Sequence, residues 1–333
     1  MAAPDPSFRA LQDLVADELA TPAPAAALAL AAAIRERHPD SVAAIVFYGS
    51  CLRKHTDEGV LDFYVLVDSY RTSYGGPGWL AGANALLPPN VFYLEAPAML
   101  GAERPPSLVR CKYGVVSTRD FETLVGPAAL HPYIWARFAQ PALLVWARDD
   151  AARETVERCG ARAICTLIER LGPFLPARGK IQRFSFAALW QEAFRRTYRT
   201  EFRSESADSI RSLYQANPAR YERATRLALD VLREQHQIDS FATFVSAAEV
   251  SGSPPRRLAS RLRWRLAWPL AKALSLLRLF KTATTFGDWL PYVLWKLERH
   301  GSVRLELTDR QRRYPLVFGW PLILQLLRQR TLR

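Results

Sequence analysis

FYGSCLRKHTDEGVLDFYVLVD (residues 47–68) is the stretch on which the reading of the fold turns. It ends one apolar run, makes a Gly49-Ser50 turn, crosses a charged loop and enters a second apolar run at Asp62. SVAAIVFYGS (41–50) predicts a strand running into the turn, and VLDFYVLVD (60–68) a second strand, both rich in β-branched and aromatic residues. A turn of this kind suits phosphate, because its backbone N–H groups and the Ser50 hydroxyl can approach phosphate oxygens closely. Arg53 and Lys54 follow directly, and Asp62 supplies a carboxylate that can hold a divalent metal against the phosphates.

A metal site of this type normally has a second carboxylate two residues on, where this chain has Tyr64. Asp62 and Asp68 share a strand face but are six residues apart, about 20 Å at strand rise, so they cannot hold one ion. A carboxylate on an adjacent strand can, since facing side chains have Cβ atoms about 5 Å apart. Glu95 in VFYLEA is the best-placed candidate, with Asp57 and Glu58 in the preceding loop as a second choice. The same unit also occurs as a plain strand-turn-strand, so the chemistry depends on what the rest of the chain adds.

Outward from this unit, residues 7–38 have helical spacing broken at Pro22 and Pro24, and NVFYLEA and VRCKYGVVS predict two more strands. Beyond Ser117 the pattern turns helical over TRDFETLV, YIWARFAQ, 150–172, 185–203 and 218–235, and SGSPPRR (251–257) reads as a linker. The expected fold is an α/β core, a mixed sheet with flanking helices, over 1–125. A mostly helical domain over 126–250 completes the substrate cleft, and a basic amphipathic region spans 251–333.

With 333 residues and 49% apolar content the chain supports a large core. Four cysteines without a CxxC pair argue against a zinc site or a disulfide framework. The five histidines lack ligand spacing and read as structural. Cys51, beside the turn, reads as a small packing residue. No leader and no run of about 18 uncharged apolar residues is present, which leads to the expectation of a cytoplasmic protein without a spanning helix.

KYGVVS (112–117) adds specificity. With FYGS (47–50), LDFYVLVD (61–68), NVFY (90–93), LHPYIWARFAQPALLV (130–145) and TYRTEFRSE (197–205) it forms ordered blocks. In these the chain resembles the mitochondrial-type phosphatidate cytidylyltransferases, the translocator assembly and maintenance family, over about residues 42–225. The resemblance implies a nucleotidyltransferase fold and an enzyme that joins CTP and phosphatidic acid to give CDP-diacylglycerol and pyrophosphate, with Mg2+ as cofactor. It implies that Gly49 and Ser50 hold the triphosphate, Asp62 the metal, and Lys112 a phosphate, with Tyr198 and Arg203 at the lipid phosphate. Arg53 joins the nucleotide set from its place after the turn. The family's lone Asp-Phe pattern makes Tyr64 ordinary, whereas Cys51, Leu94 and Glu201 depart from its usual Gly, Asn and Asp.

The charge is unevenly placed. Residues 256–333 hold 17 basic and 4 acidic side chains and five of the nine tryptophans, so the whole net charge of +13 sits there. RRLASRLRWRLAWPLAKALSLLRLFK mixes cations with Leu and Trp along one helical stretch, a composition that suits an anionic membrane surface. PLVFGWPLILQLL (315–327) is a second anchor or a core helix, too short to span. Docking of the tail on the helical domain is the competing reading, and no nucleic-acid partner is expected. The cluster Arg195, Arg196, Arg199 and Arg203 reads as a solvated face unless an anionic substrate recruits one of them. The expectation is peripheral attachment at the inner face of a membrane. The alternatives are a nucleotidyltransferase with a soluble or nucleic-acid acceptor, or a non-catalytic membrane-associated scaffold.

Overall fold

The computed structural model describes residues 5–76, 78–100, 107–201 and 206–285. α1 (Pro6–Leu19) starts on Asp5, whose carboxylate accepts from the Ser7 N–H, with Pro6 where no helical donor is lost. α2 (Ala25–Arg37) leads to β1 (Val42–Tyr48), the short α3 (Ser50–Lys54) and β2 (Val60–Val67). α4 (Tyr70–Ser73) and α5 (Trp79–Leu86) then cross to β3 (Asn90–Ala98), which returns as β4 (Ser107–Ser117). α6 (Thr118–Leu124), capped by Ser117, and α7 (Trp135–Phe138) precede β5 (Ala142–Ala147) and the long α8 (Asp150–Leu171).

β1 to β5 form one mixed sheet in the order β3-β4-β2-β1-β5, with β2 and β4 parallel and the other neighbours antiparallel. Period-two alternation divides its residues between two cores. Ile45, Phe47, Leu61, Phe63 and Val65 face α2, whereas Ala44, Val46, Tyr64 and Leu66 face α1, α6 and α8. The expected boundary near residue 125 does not divide this sheet, because β5 and α8 lie beyond it and β5 pairs with β1.

The second half adds β6 (Ile181–Ser185), α9 (Phe186–Thr200), α10 (Ala207–Gln215), α11 (Pro218–Glu234), β7 (Ser240–Thr243) and β8 (Ala247–Ser251). These strands form a small antiparallel sheet in the order β6-β8-β7, which the sequence reading did not anticipate. α9 and α11 bury Leu189, Trp190, Phe194 and Tyr221, and the Trp190 indole N–H donates to Thr225. Fully burying each such side chain contributes about 1.5–3 kcal/mol.

α12 (Pro254–Thr285) corrects the linker expectation. Only residues 252 and 253 separate it from β8, because paired prolines at a helix start cost no backbone hydrogen bond and favour helical φ. The way it docks is unusual. Arg257 donates to the Gly179, Lys180 and Gly252 carbonyls, Arg261 to Pro173 (2.6 Å), and Arg278 to Pro88 (3.0 Å). Arg278 also donates to His131 Nε2 (2.6 Å), which must then be the accepting nitrogen. Burial, followed by the Arg278 and Arg137 charges, lowers the His131 pKa to about 3, so its ring stays neutral. Trp264 turns inward against Trp135 and Phe174, while Leu258, Leu262, Leu266, Leu277, Leu279 and Phe280 point to solvent. Trp289, Trp295, Trp320 and the 315–327 stretch lie outside the described residues.

Candidate functional site

Asp62 sits near the start of β2, with Tyr48 as its partner on β1 and Lys112 on β4. Paired residues on neighbouring strands point to the same face about 4.8 Å apart, so the register brings all three side chains together. The Lys112 Nζ lies 3.0 Å from Asp62 Oδ1, with the lysine 43% and the aspartate 14% exposed. That approach is not aligned as a hydrogen bond. Oδ1 is thus a solvent-shielded carboxylate oxygen with a charge partner and no hydrogen-bond donor.

The glycine turn closes over the other oxygen. Gly49 has φ 95°, and a Cβ built there would lie 2.7 Å from Asp62 Oδ2. Backbone conformation and close approach both require glycine at this position. Ser50, exposed, opens α3 immediately beside it. Gly49, Ser50, Asp62 and Lys112 therefore converge in the structure.

Arg53 lies on α3 within electrostatic reach of Tyr221 on α11, and so does Tyr198 from α9. Tyr198 is 8% exposed and stacks on Phe194 with ring centres 6.4 Å apart. Arg203, the other residue expected at a lipid phosphate, lies outside the described residues.

Glu95 does not stand beside Asp62. β4 lies between their strands, and the register sets Glu95 opposite Arg110 and Arg110 opposite Val60, one pleat away from the Asp62–Lys112 row. Two strand spacings separate the carboxylates, about 10 Å. Glu95 also accepts from Arg110 (2.9 Å) and the Tyr93 hydroxyl (2.6 Å). The expectation of a shared metal assumed that β3 neighbours β2, and the chain inserts β4 there instead. Asp68, at the far end of β2, is held by Arg148 (2.5 and 3.1 Å).

Two residues that the sequence reading passed over stand behind Asp62. Arg137 makes a two-pronged pair with Glu201 (2.7 and 2.6 Å) and lies over the Tyr133 ring at 4.1 Å. Burial works most strongly against its charge, but Glu201 together with Tyr133, Tyr64 and Tyr48 outweighs burial and raises its pKa. Tyr48 packs on Tyr64 (5.3 Å), and burial, then the Asp62 charge, pushes its phenol well up. The signal was available: Arg137 is the one cation in the apolar block YIWARFAQ, and Tyr48 directly precedes the turn. The Arg195 and Arg196 cluster is settled locally, since both pair with Glu192 and Arg196 also lies over Phe174. Burial pushes the Cys51 thiol up, consistent with a packing role.

No family model matches the chain, and no curated protein matches it.

A magnesium ion fits this donor set in one way. Among the described residues no three His, Cys, Asp or Glu side chains form a ligand cluster. Magnesium, however, usually takes one or two protein carboxylates and completes its shell with water and substrate phosphates. Asp62, with an oxygen that lacks a hydrogen bond, has the chemistry such a shell requires of its one carboxylate.

Proposed function

We propose that the chain is a magnesium-dependent nucleotidyltransferase with a nucleotidyltransferase-type core, acting as a CTP:phosphatidate cytidylyltransferase at a membrane surface. The observation that carries this reading is the wedging of Asp62 between the Gly49 turn and Lys112. A carboxylate so confined has a cation on one side and the Gly49 backbone on the other, which fixes it beside the turn.

The roles follow from position. The Gly49-Ser50 amides and the Ser50 hydroxyl bind triphosphate oxygens, and Arg53 extends the cationic rim. Lys112, nearly half exposed, turns from Asp62 to the phosphates when nucleotide arrives and stabilises charge on departing pyrophosphate. Magnesium, when bound at Asp62, offsets charge on the nucleotide phosphates. Tyr198 borders the acceptor side. The acceptor phosphate attacks the α-phosphorus, its new P–O bond replacing the bond to pyrophosphate.

The lipid acceptor is supported by α12. Arg257, Arg261 and Arg278 dock on the protein and the leucines face outward, the reverse of a soluble surface helix. An outward Leu and Phe face, with Arg256, Arg265 and Lys272 also along the helix, suits the interface of an anionic bilayer. No helix among the described residues is long and apolar enough to cross a membrane.

The test is direct. The purified chain with labelled CTP, magnesium chloride and phosphatidic acid liposomes is expected to yield CDP-lipid and pyrophosphate, and Asp62→Asn to lower both about a thousandfold. Pyrophosphate released only with soluble acceptors would point to another nucleotidyltransferase. No turnover at all, with liposome flotation intact, would leave a membrane scaffold.

A further inference from the structure

A second site lies at the other end of α11. A cavity of about 320 Å³ opens between the C-terminal turn of α8, α11, the small sheet and the first turns of α12. Leu229 and Leu232 line it, eight and eleven residues beyond the Tyr221 that neighbours Arg53. At 1.5 Å per residue this is about 12–16 Å along the helix, so the cavity is separate from the Asp62 turn.

The lining has two chemical zones. Its floor is apolar: Ile168, Leu229, Leu232 and Val250 are each at most 5% exposed. The charged part of its lining is cationic, Arg170, Arg256, Arg257 and Arg263 against the single acid Glu169, with neutral Gln182, Gln237 and Ser260 between. Arg256 and Arg263 are exposed and form the rim, whereas Arg170 is 6% exposed.

The hydrogen bonds of these arginines leave their charge in place. Arg256 donates to the His236 carbonyl, Arg257 to Gly179, Lys180 and Gly252, and Arg263 to Pro127. Arg170 donates to the Pro127 and Ala129 carbonyls, and its Nε is buried with no hydrogen-bond partner. Neutral carbonyls satisfy donors without cancelling charge. Burial also pushes the Glu169 carboxyl toward its uncharged form, against the pull of Arg170 and Arg263. An apolar floor below an uncompensated cationic wall, with one buried donor idle, is complementary to a ligand with an alkyl chain and an anionic head.

We propose that this cavity binds a single-chain anionic amphiphile, its chain on the Leu229 and Leu232 floor and its carboxylate or phosphate head at Arg170, Arg256 and Arg263. The volume is at the small end of ligand clefts, which favours one chain over two. Because α12 supplies one wall, the occupant touches the helix that carries the outward apolar face. The proposal does not depend on the cytidylyl-transfer reading.

The experiment is calorimetric titration of the full chain, below micelle concentrations, with octanoate, decanoate, dodecanoate, decyl phosphate and decanol. Binding is expected to tighten about fourfold per added methylene until the floor is covered, with decanol much weaker than decanoate. Whichever of decanoate and decyl phosphate binds tighter identifies the head group. Ser260→Trp, which projects an indole from α12 into the cavity, is expected to abolish binding. Arg263→Glu, a rim change on an exposed residue, is expected to weaken it about tenfold with the thermal melt unmoved. The proposal is overturned by absence of heat at millimolar ligand, by equal affinity for decanol, or by chain-length independence. Unchanged binding in Arg263→Glu together with a folded Ser260→Trp overturns it as well.

Discussion

Two cation-carboxylate pairs lie on neighbouring parts of the same sheet face and are built on opposite plans. Arg137 and Glu201 are 14% and 7% exposed and exchange two aligned hydrogen bonds. Lys112 and Asp62 are 43% and 14% exposed, and the close Asp62 oxygen receives no aligned hydrogen bond. The first pair is satisfied within the protein, Arg137 donating to both Glu201 oxygens and to the Tyr133 carbonyl, and it holds α7 against the end of α9. The second retains capacity at Asp62 Oδ1, which faces Lys112 without a hydrogen bond. The difference separates a structural ion pair from a candidate catalytic one without reference to ancestry.

The largest effect tests the structural side of this contrast. Glu201→Ala strands Arg137 as a buried charge, which costs about 3–5 kcal/mol of stability. A large fall in the denaturant midpoint with unchanged slope is the expected result. A shift as small as that of an exposed pair would mean that the two pairs do not differ as described.

Asp62→Asn tests the other side. It removes charge at an oxygen that had no hydrogen bond to lose, so stability is expected to move by less than about 0.5 kcal/mol. Turnover in the CDP-lipid assay is expected to fall about a thousandfold, or ~4 kcal/mol of transition-state stabilisation. A variant that melts early but turns over normally would assign Asp62 to structure instead.

What the sequence made legible follows from range. The strands around Asp62 and the main helices come from local periodicity and turn residues, and all of them appear close to the expected bounds. The convergence of Gly49 with Asp62 was readable because only an eleven-residue gap separates Ser50 from Asp62. The partnership of Asp62 with Lys112, and the failure of Glu95, depend on β4 inserting between β2 and β3, a pairing that no local signal encodes. The pairing of Arg137 with Glu201 spans 64 residues and was hidden for the same reason. In α12 the composition gave the helix but not its orientation, because arginines turn inward only where carbonyls of distant loops await them.

Lys112→Ala sharpens the contrast at intermediate size. If Lys112 carries phosphate charge, its loss is expected to lower turnover about tenfold to a hundredfold, with Lys112→Arg recovering part of it. Stability is expected to change little, since the pair is partly solvated. Equal activity in Lys112→Ala and the parent would reduce the lysine to a charge neighbour of Asp62.

The smallest effect comes from the same strand. Asp68, six residues from Asp62, is held by Arg148 at 2.5 and 3.1 Å, closer and better aligned than Lys112 is to Asp62. Judged by distance alone it is the stronger pair. Both partners are more than two-fifths exposed, however, so water screens the attraction and side-chain ordering offsets much of the rest. Asp68→Asn is therefore expected to cost less than about 1 kcal/mol and to leave turnover unchanged. Raising salt to 1 M in the parent should reproduce most of that small loss, because an exposed pair is screened within about 3 Å there. A stability loss comparable to that of Glu201→Ala would show that burial is not what separates the pairs, and hydrogen-bond alignment would then have to explain the contrast by itself.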